Sequence, residues 1–146
     1  IKLDQMGQAF WSQAAIVAVF LALLFNDIRY EDDFDSSHVS IRPDNPKHDG
    51  RMGVKLRRPA LGGYNVEGYL EDLQSVLFLI MIEKNVAVEN IDVILNKAKE
   101  KGVDMTQWGP VDFAFSRGSD GNFADIDISS AEELVIRKSI EYGISP

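Results

Sequence analysis

The chain has no cysteine. That removes disulfides, thiolate metal sites and cysteine nucleophiles, and it accords with a reducing, cytoplasmic setting. Histidine is nearly absent too. His38 and His48 are the two in 146 residues, and both stand among polar, loop-like neighbours, where a surface place is the plainer reading than a general base. Basic charge is in short supply: 15 Lys and Arg against 23 Asp and Glu give a formal charge of −8. Such a balance argues against nucleic acid or an anionic membrane as the main partner. The longest apolar run, Ala14 to Phe25, has twelve residues, whereas a bilayer span needs about 20. Only Lys2 precedes it, which is not the basic start of a signal peptide. The run reads instead as the end of a buried helix passing into a short buried strand.

What is present suits one domain, residues 1–146, with a real core: 45% of the residues are hydrophobic and 26% are charged. Ile1-Lys2-Leu3 reads as the tail of a strand. Gln5 to Val19 reads as a helix with Phe10, Ala14 and Val17 inward, and Trp11 as packing. Ala22 to Phe25 reads as a strand ending at Asn26-Asp27, and Asp32 to Ser40 as a short surface helix. Arg42 to Gly50 has loop composition without a core, a character that persists through Gly53, Pro59, Gly62 and Gly63.

The second half is more regular. Val76 to Ile82 is a continuous apolar strand of the kind buried on both faces of a parallel sheet. A helix follows, with Asn85 as N-cap, an apolar face of Val88, Ile91, Ile94, Leu95 and Ala98, and Gly102 past its end. Val103 to Trp108 reads as a second strand, stopped by Gly109-Pro110. Ser130-Ala131-Glu132-Glu133 has capping-box spacing and starts a last helix that Gly143 ends. Strand and helix alternate, as in an α/β fold with a parallel sheet.

In this frame two carboxylates stand just past buried strands. Glu83 follows Ile82, and Asp112 follows Gly109-Pro110-Val111. Parallel strands carry their carboxyl-end residues to the rim where ligands bind. If the two strands are neighbours, both side chains reach one cation, and oxygen ligands with open positions suit Mg²⁺ or Mn²⁺ better than zinc. The alternatives are a helix-capping Glu83 and a turn-forming Asp112. Gly109-Pro110 lets backbone approach a ligand closely, or is a plain strand-ending turn. Arg51, Lys55, Arg57 and Arg58 form a local basic patch, read either as an anion contact or as a solvated loop.

At these residues the chain resembles the HpcH/HpaI aldolase and citrate lyase family. Met81-Ile82-Glu83-Lys84 with Ala87-Val88-Glu89-Asn90-Ile91-Asp92-Val93-Ile94-Leu95 looks like its metal-glutamate strand and the helix after it. Gly102-Val103-Asp104 and then Gly109-Pro110-Val111-Asp112-Phe113 look like its second metal strand. More weakly, Ile28-Arg29, Asp32-Asp33 and Ile41-Arg42-Pro43 resemble the helix and arginine–proline loop upstream. The resemblance implies a (β/α)8 TIM barrel of the phosphoenolpyruvate/pyruvate type, usually oligomeric. A complete barrel runs to about 250 residues, so this chain would cover about strand 3 to helix 6. Glu83 and Asp112 would ligate Mg²⁺, Mn²⁺ or Co²⁺, and Gly109, Pro110 and Val111 would hold a substrate carboxylate. The reaction implied is that of a class II aldolase, a carbon–carbon lyase working through a metal-stabilised pyruvate enolate. The family's enolate-steadying arginine falls at Lys2, which keeps the charge but not the two-pronged geometry. Its catalytic histidine and aspartate lie upstream of anything matching here, so no general base is evident. A non-catalytic barrel remnant serving in assembly is a second reading. A citrate-lyase or malyl-thioester type enzyme, with Arg51 to Arg58 meeting an acyl carrier's phosphates, is a third.

Overall fold

Strand β2 (Leu77–Ile82) is the middle strand of the sheet, and its sequence Leu-Phe-Leu-Ile-Met-Ile suits that place: large apolar side chains fill both sides of a pleated ribbon. The computed structural model describes residues 22–52, 66–119 and 127–146, and in these β2 lies between β1 (Ala22–Phe25) and β3 (Met105–Trp108). β2 and β3 run parallel, in a register from Leu79 opposite Met105 to Ile82 opposite Trp108. Phe78, Ile80 and Ile82 are fully buried, each contributing about 1.5–3 kcal/mol of hydrophobic stabilisation. Phe25 meets Phe78 edge-on, with ring centroids 5.3 Å apart. On the opposite face Leu77 is exposed and Leu79 and Met81 are half-buried. The strand expected to be buried on both faces is therefore closed on one. β1 differs from expectation in the same way: only Phe25 of its four residues is buried, because among the described strands β1 is an edge.

The described residues group into two compact units, one holding 22–23, 35–52 and 66–77 and the other 24–34, 78–119 and 127–146. In the first, helix α1 (Asp33–Ile41) is less superficial than its polar sequence suggests, since Ser37, Ser40 and Ile41 are buried. Ser40 manages this by donating its hydroxyl to the Ser37 carbonyl at 2.8 Å. The stretch after it is also not coreless. Met52 is buried and bridges to Pro43. The Arg42 guanidinium donates to the carbonyls of Leu73 and Val76, at 3.4 and 3.2 Å, at the end of α2 (Val66–Ser75). Cations suit that end of a helix, where carbonyls lack intrahelical partners. The two histidines are half-buried and engaged: His38 Nε2 lies 3.1 Å from the His48 carbonyl, and His48 Nε2 lies 3.1 Å from the Gln74 amide.

The second unit carries the sheet's helical cover. The helix expected from Asn85 is two helices, α3 (Asn85–Glu89) and α4 (Ile91–Glu100). Asn90 separates them, its side-chain amide and its backbone N–H both donating to the Val86 carbonyl, at 2.9 and 3.2 Å. Lys84, not Asn85, occupies the N-cap, without a side-chain cap bond. Asn85 instead donates its side-chain amide to Glu89 at 2.7 Å. The buried face is Ala87, Ile91, Ile94, Leu95 and Ala98, with Val88 half-buried. After β3 comes α5 (Pro110–Ser116), and then α6 (Ile128–Tyr142). α6 is capped three residues earlier than the Ser130 box implied, by Asp127, whose carboxylate accepts the Ser130 N–H at 2.9 Å. Gly143, at φ 78°, ends it in the left-handed conformation as expected.

α6 packs on α4, α5 and β3. Beneath it, Thr106 Oγ1 of β3 and Ser139 Oγ of α6 share a buried hydrogen bond of 2.8 Å. At its outer edge, Asp92 Oδ1 accepts from Lys138 Nζ at 2.7 Å and Tyr142 OH at 3.1 Å. Those bonds hold the Asp92 carboxyl below its ordinary value, Lys138 contributing most. Among the described residues, no helix is long and apolar enough to cross a membrane. The expected helix over Gln5–Val19 with Phe10, Ala14 and Val17, together with the Ile1-Lys2-Leu3 strand tail, Trp11, and Gly53, Pro59, Gly62 and Gly63, lies outside the described residues.

Thr106→Val strands the Ser139 hydroxyl and should cost about 1–3 kcal/mol in denaturant unfolding, with much of the loss recovered in Thr106→Val/Ser139→Ala. Asp92→Asn should lower the thermal midpoint at neutral pH. Because the folded carboxyl titrates below its ordinary value, its contribution is present above that value and lost as the pH falls through the lowered one. The gap between wild type and variant should therefore close in acid, and also in high salt.

Candidate functional site

Two parallel strands that start in register also finish together, and β2 and β3 do so at Ile82 and Trp108. One step further along that register sets Glu83 beside Gly109. The backbone confirms the closeness, as the Gly109 N–H donates to the Ile82 carbonyl at 3.0 Å. A Cβ on residue 109 would come 2.6 Å from Glu83 Cβ and 3.2 Å from both Glu83 Oε2 and Met81 Sδ. Glycine is thus required here by contact rather than by its dihedral angle. Pro110 then begins α5 at the position where a missing N–H costs nothing. The tight start of that helix puts Asp112 in its first turn, back over the end of β2.

Glu83 and Asp112 are accordingly brought together. Glu83 is 3% exposed. Its Oε1 accepts the Asp27 backbone N–H at 2.7 Å. Burial pushes the Glu83 carboxyl above its ordinary value; the Asp27 amide and the Lys84 charge oppose the rise, and a hydrogen bond from the side of Asp112 and its like charge add to it. The helix-capping alternative for Glu83 is excluded, since α3 has no side-chain cap bond. Among the described residues, no set of three or more His, Asp or Glu side chains is placed to hold one ion. The pair nevertheless suits a hard divalent cation. Two carboxylates with oxygen-only chemistry converge, one of them buried, and a cation between them would offset the repulsion of their like charges. Gly109 leaves open the space next to Glu83 Oε2 that a side chain would fill.

The remaining residues of interest divide by place. The N–H of Gly109 is spent on the sheet and Pro110 has none, which leaves the amides of Val111 and Asp112 as the donors of this turn not used within α5. Val111 is 55% exposed, so that end of the helix is open. Lys2 lies outside the described residues, as do Lys55, Arg57 and Arg58 of the basic stretch; Arg51 is described and exposed. Two rim residues were missed on sequence. Asp27, just past β1, and Lys84, just past Glu83, are linked by an ion pair of 3.5 Å. The same strand-end reasoning applied to Asn26-Asp27 would have found the first.

No family model matches the sequence, and no curated protein does. Solved structures do. An HpcH/HpaI aldolase/citrate lyase family protein from Burkholderia cenocepacia superposes with a TM-score of 0.78 at 26% identity, over 93% of this chain and 52% of that one. The HpcH/HpaI aldolase of Desulfitobacterium hafniense gives 0.74 at 18% identity, over 93% of this chain and 51% of that one. A citrate synthase, SbnG, gives 0.63 at 17% identity, over 85% of this chain and 45% of that one. The chain thus spans about half the length of these neighbours, in keeping with the partial barrel expected from its sequence. By its superposition and its parallel sheet, the chain resembles the HpcH/HpaI aldolase/citrate lyase family, and its fold is a part of that family's α/β barrel.

Proposed function

We propose that the chain is the metal-holding part of a class II aldolase, a carbon–carbon lyase that acts on a 2-oxo acid such as pyruvate through its enolate. The observation that carries this reading is the convergence of Glu83 and Asp112 at one strand rim, where the Glu83 carboxyl is buried. Likeness to lyase-family structures supports the class of reaction, and the activity of a whole barrel is part of the proposal.

Glu83 and Asp112 are the ligands in this reading, for Mg²⁺, Mn²⁺ or Co²⁺. Such a cation, when bound, would polarise a keto oxygen and steady the negative charge that develops on it as the bond between the α and β carbons breaks and the β carbon leaves as an aldehyde. The chain's own groups do the rest. Glu83 is held at Oε1 by the Asp27 amide, and its other oxygen, Oε2, lies beside Gly109. The Val111 and Asp112 amides, at the positive end of α5, orient a substrate carboxylate, while Gly109 and Pro110 set the turn that presents them. The second unit contains no histidine, in keeping with a resemblance that sets the family's catalytic histidine upstream of anything matching here. The substrate is small, and a homo-oligomer is the form in which the site would be completed.

Calorimetric titration with Mn²⁺ tests this. Glu83→Gln and Asp112→Asn should each weaken binding by about 10-fold or more, and the double variant should bind no metal. Equal affinity in wild type and double variant would sink the reading. A second outcome follows from burial. In metal-free protein the raised Glu83 carboxyl favours the fold below its ordinary value, and that favour is lost as pH rises through the raised one. Glu83→Gln should therefore melt higher than wild type at neutral pH without metal, with a flatter pH profile, as expected where function is held against stability.

A further inference from the structure

The strand rim holds more positive charge than a metal site calls for. Lys84 follows Glu83 directly, with a side chain only 17% exposed, and its ammonium lies 4.0 Å from Glu83 Oε1. A cation so placed is a rival for a divalent ion. It supplies part of the charge the carboxylates need, and in a partly dehydrated site it repels a second cation strongly.

Asp27 stands between the two outcomes. Its Oδ1 lies 3.5 Å from the Lys84 ammonium, nearer than Glu83 does. The same oxygen is fixed from outside by Arg29, with Nη2 at 2.8 Å and Nε at 3.0 Å. Asp27 has φ 58°, a left-handed conformation that Asp and Asn tolerate better than other residues with a side chain. That conformation turns its N–H onto Glu83 while its carboxylate meets the two cations. The turn is braced further on, where Asp33 Oδ2 accepts the backbone N–H groups of Arg29 and Tyr30, both at 2.9 Å.

We infer that Asp27 is a positioning residue that holds the Lys84 ammonium away from Glu83, so that the Glu83–Asp112 pair stays open to a divalent cation. The inference rests on the metal reading above and adds to it a built-in competitor, with the residue that restrains it.

Manganese affinity, read from the resonance of free Mn²⁺ at fixed pH, tests it in four proteins: wild type, Asp27→Asn, Lys84→Met and Asp27→Asn/Lys84→Met. Asparagine accepts the left-handed backbone and keeps the amide on Glu83 while removing the charge. Asp27→Asn should weaken Mn²⁺ binding by about 10-fold or more. Lys84→Met should bind at least as tightly as wild type. Adding Asp27→Asn to Lys84→Met should change little, because the loss runs through the ammonium. Unchanged binding in Asp27→Asn overturns the inference, as does an equal loss in both backgrounds. Either result leaves the metal reading intact if wild type binds Mn²⁺; a wild type that binds none overturns the two together.

Discussion

The parallel register of β2 and β3 is the constraint from which the site follows. It is held by the ladder from Leu79 opposite Met105 to Ile82 opposite Trp108, and closed by the bond from the Gly109 amide to the Ile82 carbonyl. A slip of one residue would turn Phe78, Ile80 and Ile82 out of the buried face and carry Glu83 to the other side of the sheet. The register is therefore fixed by hydrophobic burial in the middle of the strands, and the placement of the carboxylates at their ends comes with it. The Thr106–Ser139 bond and the apolar face of α4 hold the same arrangement from behind.

At the rim the chemistry runs against the stability of the fold. Glu83 is almost wholly buried, yet its compensation is one backbone amide and a lysine at 4.0 Å, with another carboxylate close by. A residue selected only for packing would not be acidic there. Asp27 adds to this pattern, since a side chain in a left-handed conformation is retained where its amide and its carboxylate both have work. Buried, perturbed carboxyls of this kind gather at functional sites for a physical reason: a site that must bind a cation has to hold negative charge that water does not neutralise.

The alternation of strands and helices, the apolar run of β2 and the two strand-end acids were all legible in the sequence, because each is a local pattern. Where the reading missed, a particular side-chain contact, local or distant, had overridden what composition alone suggested. Asn85 has the composition of a cap but sits inside α3, where its side chain finds Glu89. The single helix expected after β2 is broken at Asn90, whose backbone leaves the helical range at φ −109° and ψ 28° while its side chain bonds the Val86 carbonyl. Residues 42–52 have loop composition, yet Met52 is buried and Arg42 closes the end of α2 across more than thirty residues of chain.

Local pattern alone carried the α/β class, the resemblance to the HpcH/HpaI aldolase and citrate lyase family, and the candidacy of Glu83, Asp112 and the Gly109-Pro110-Val111 turn. Periodicity and short motifs carry that information without reference to distant residues. It took the folded arrangement to bring Glu83 and Asp112 together, to show that Glu83 leaves no room for a Cβ at Gly109, and to place Asp27 and Lys84 on the same rim. Those facts depend on which strands are neighbours and in what register, and neighbours in a parallel sheet are set by the burial of whole faces rather than by any one stretch of residues.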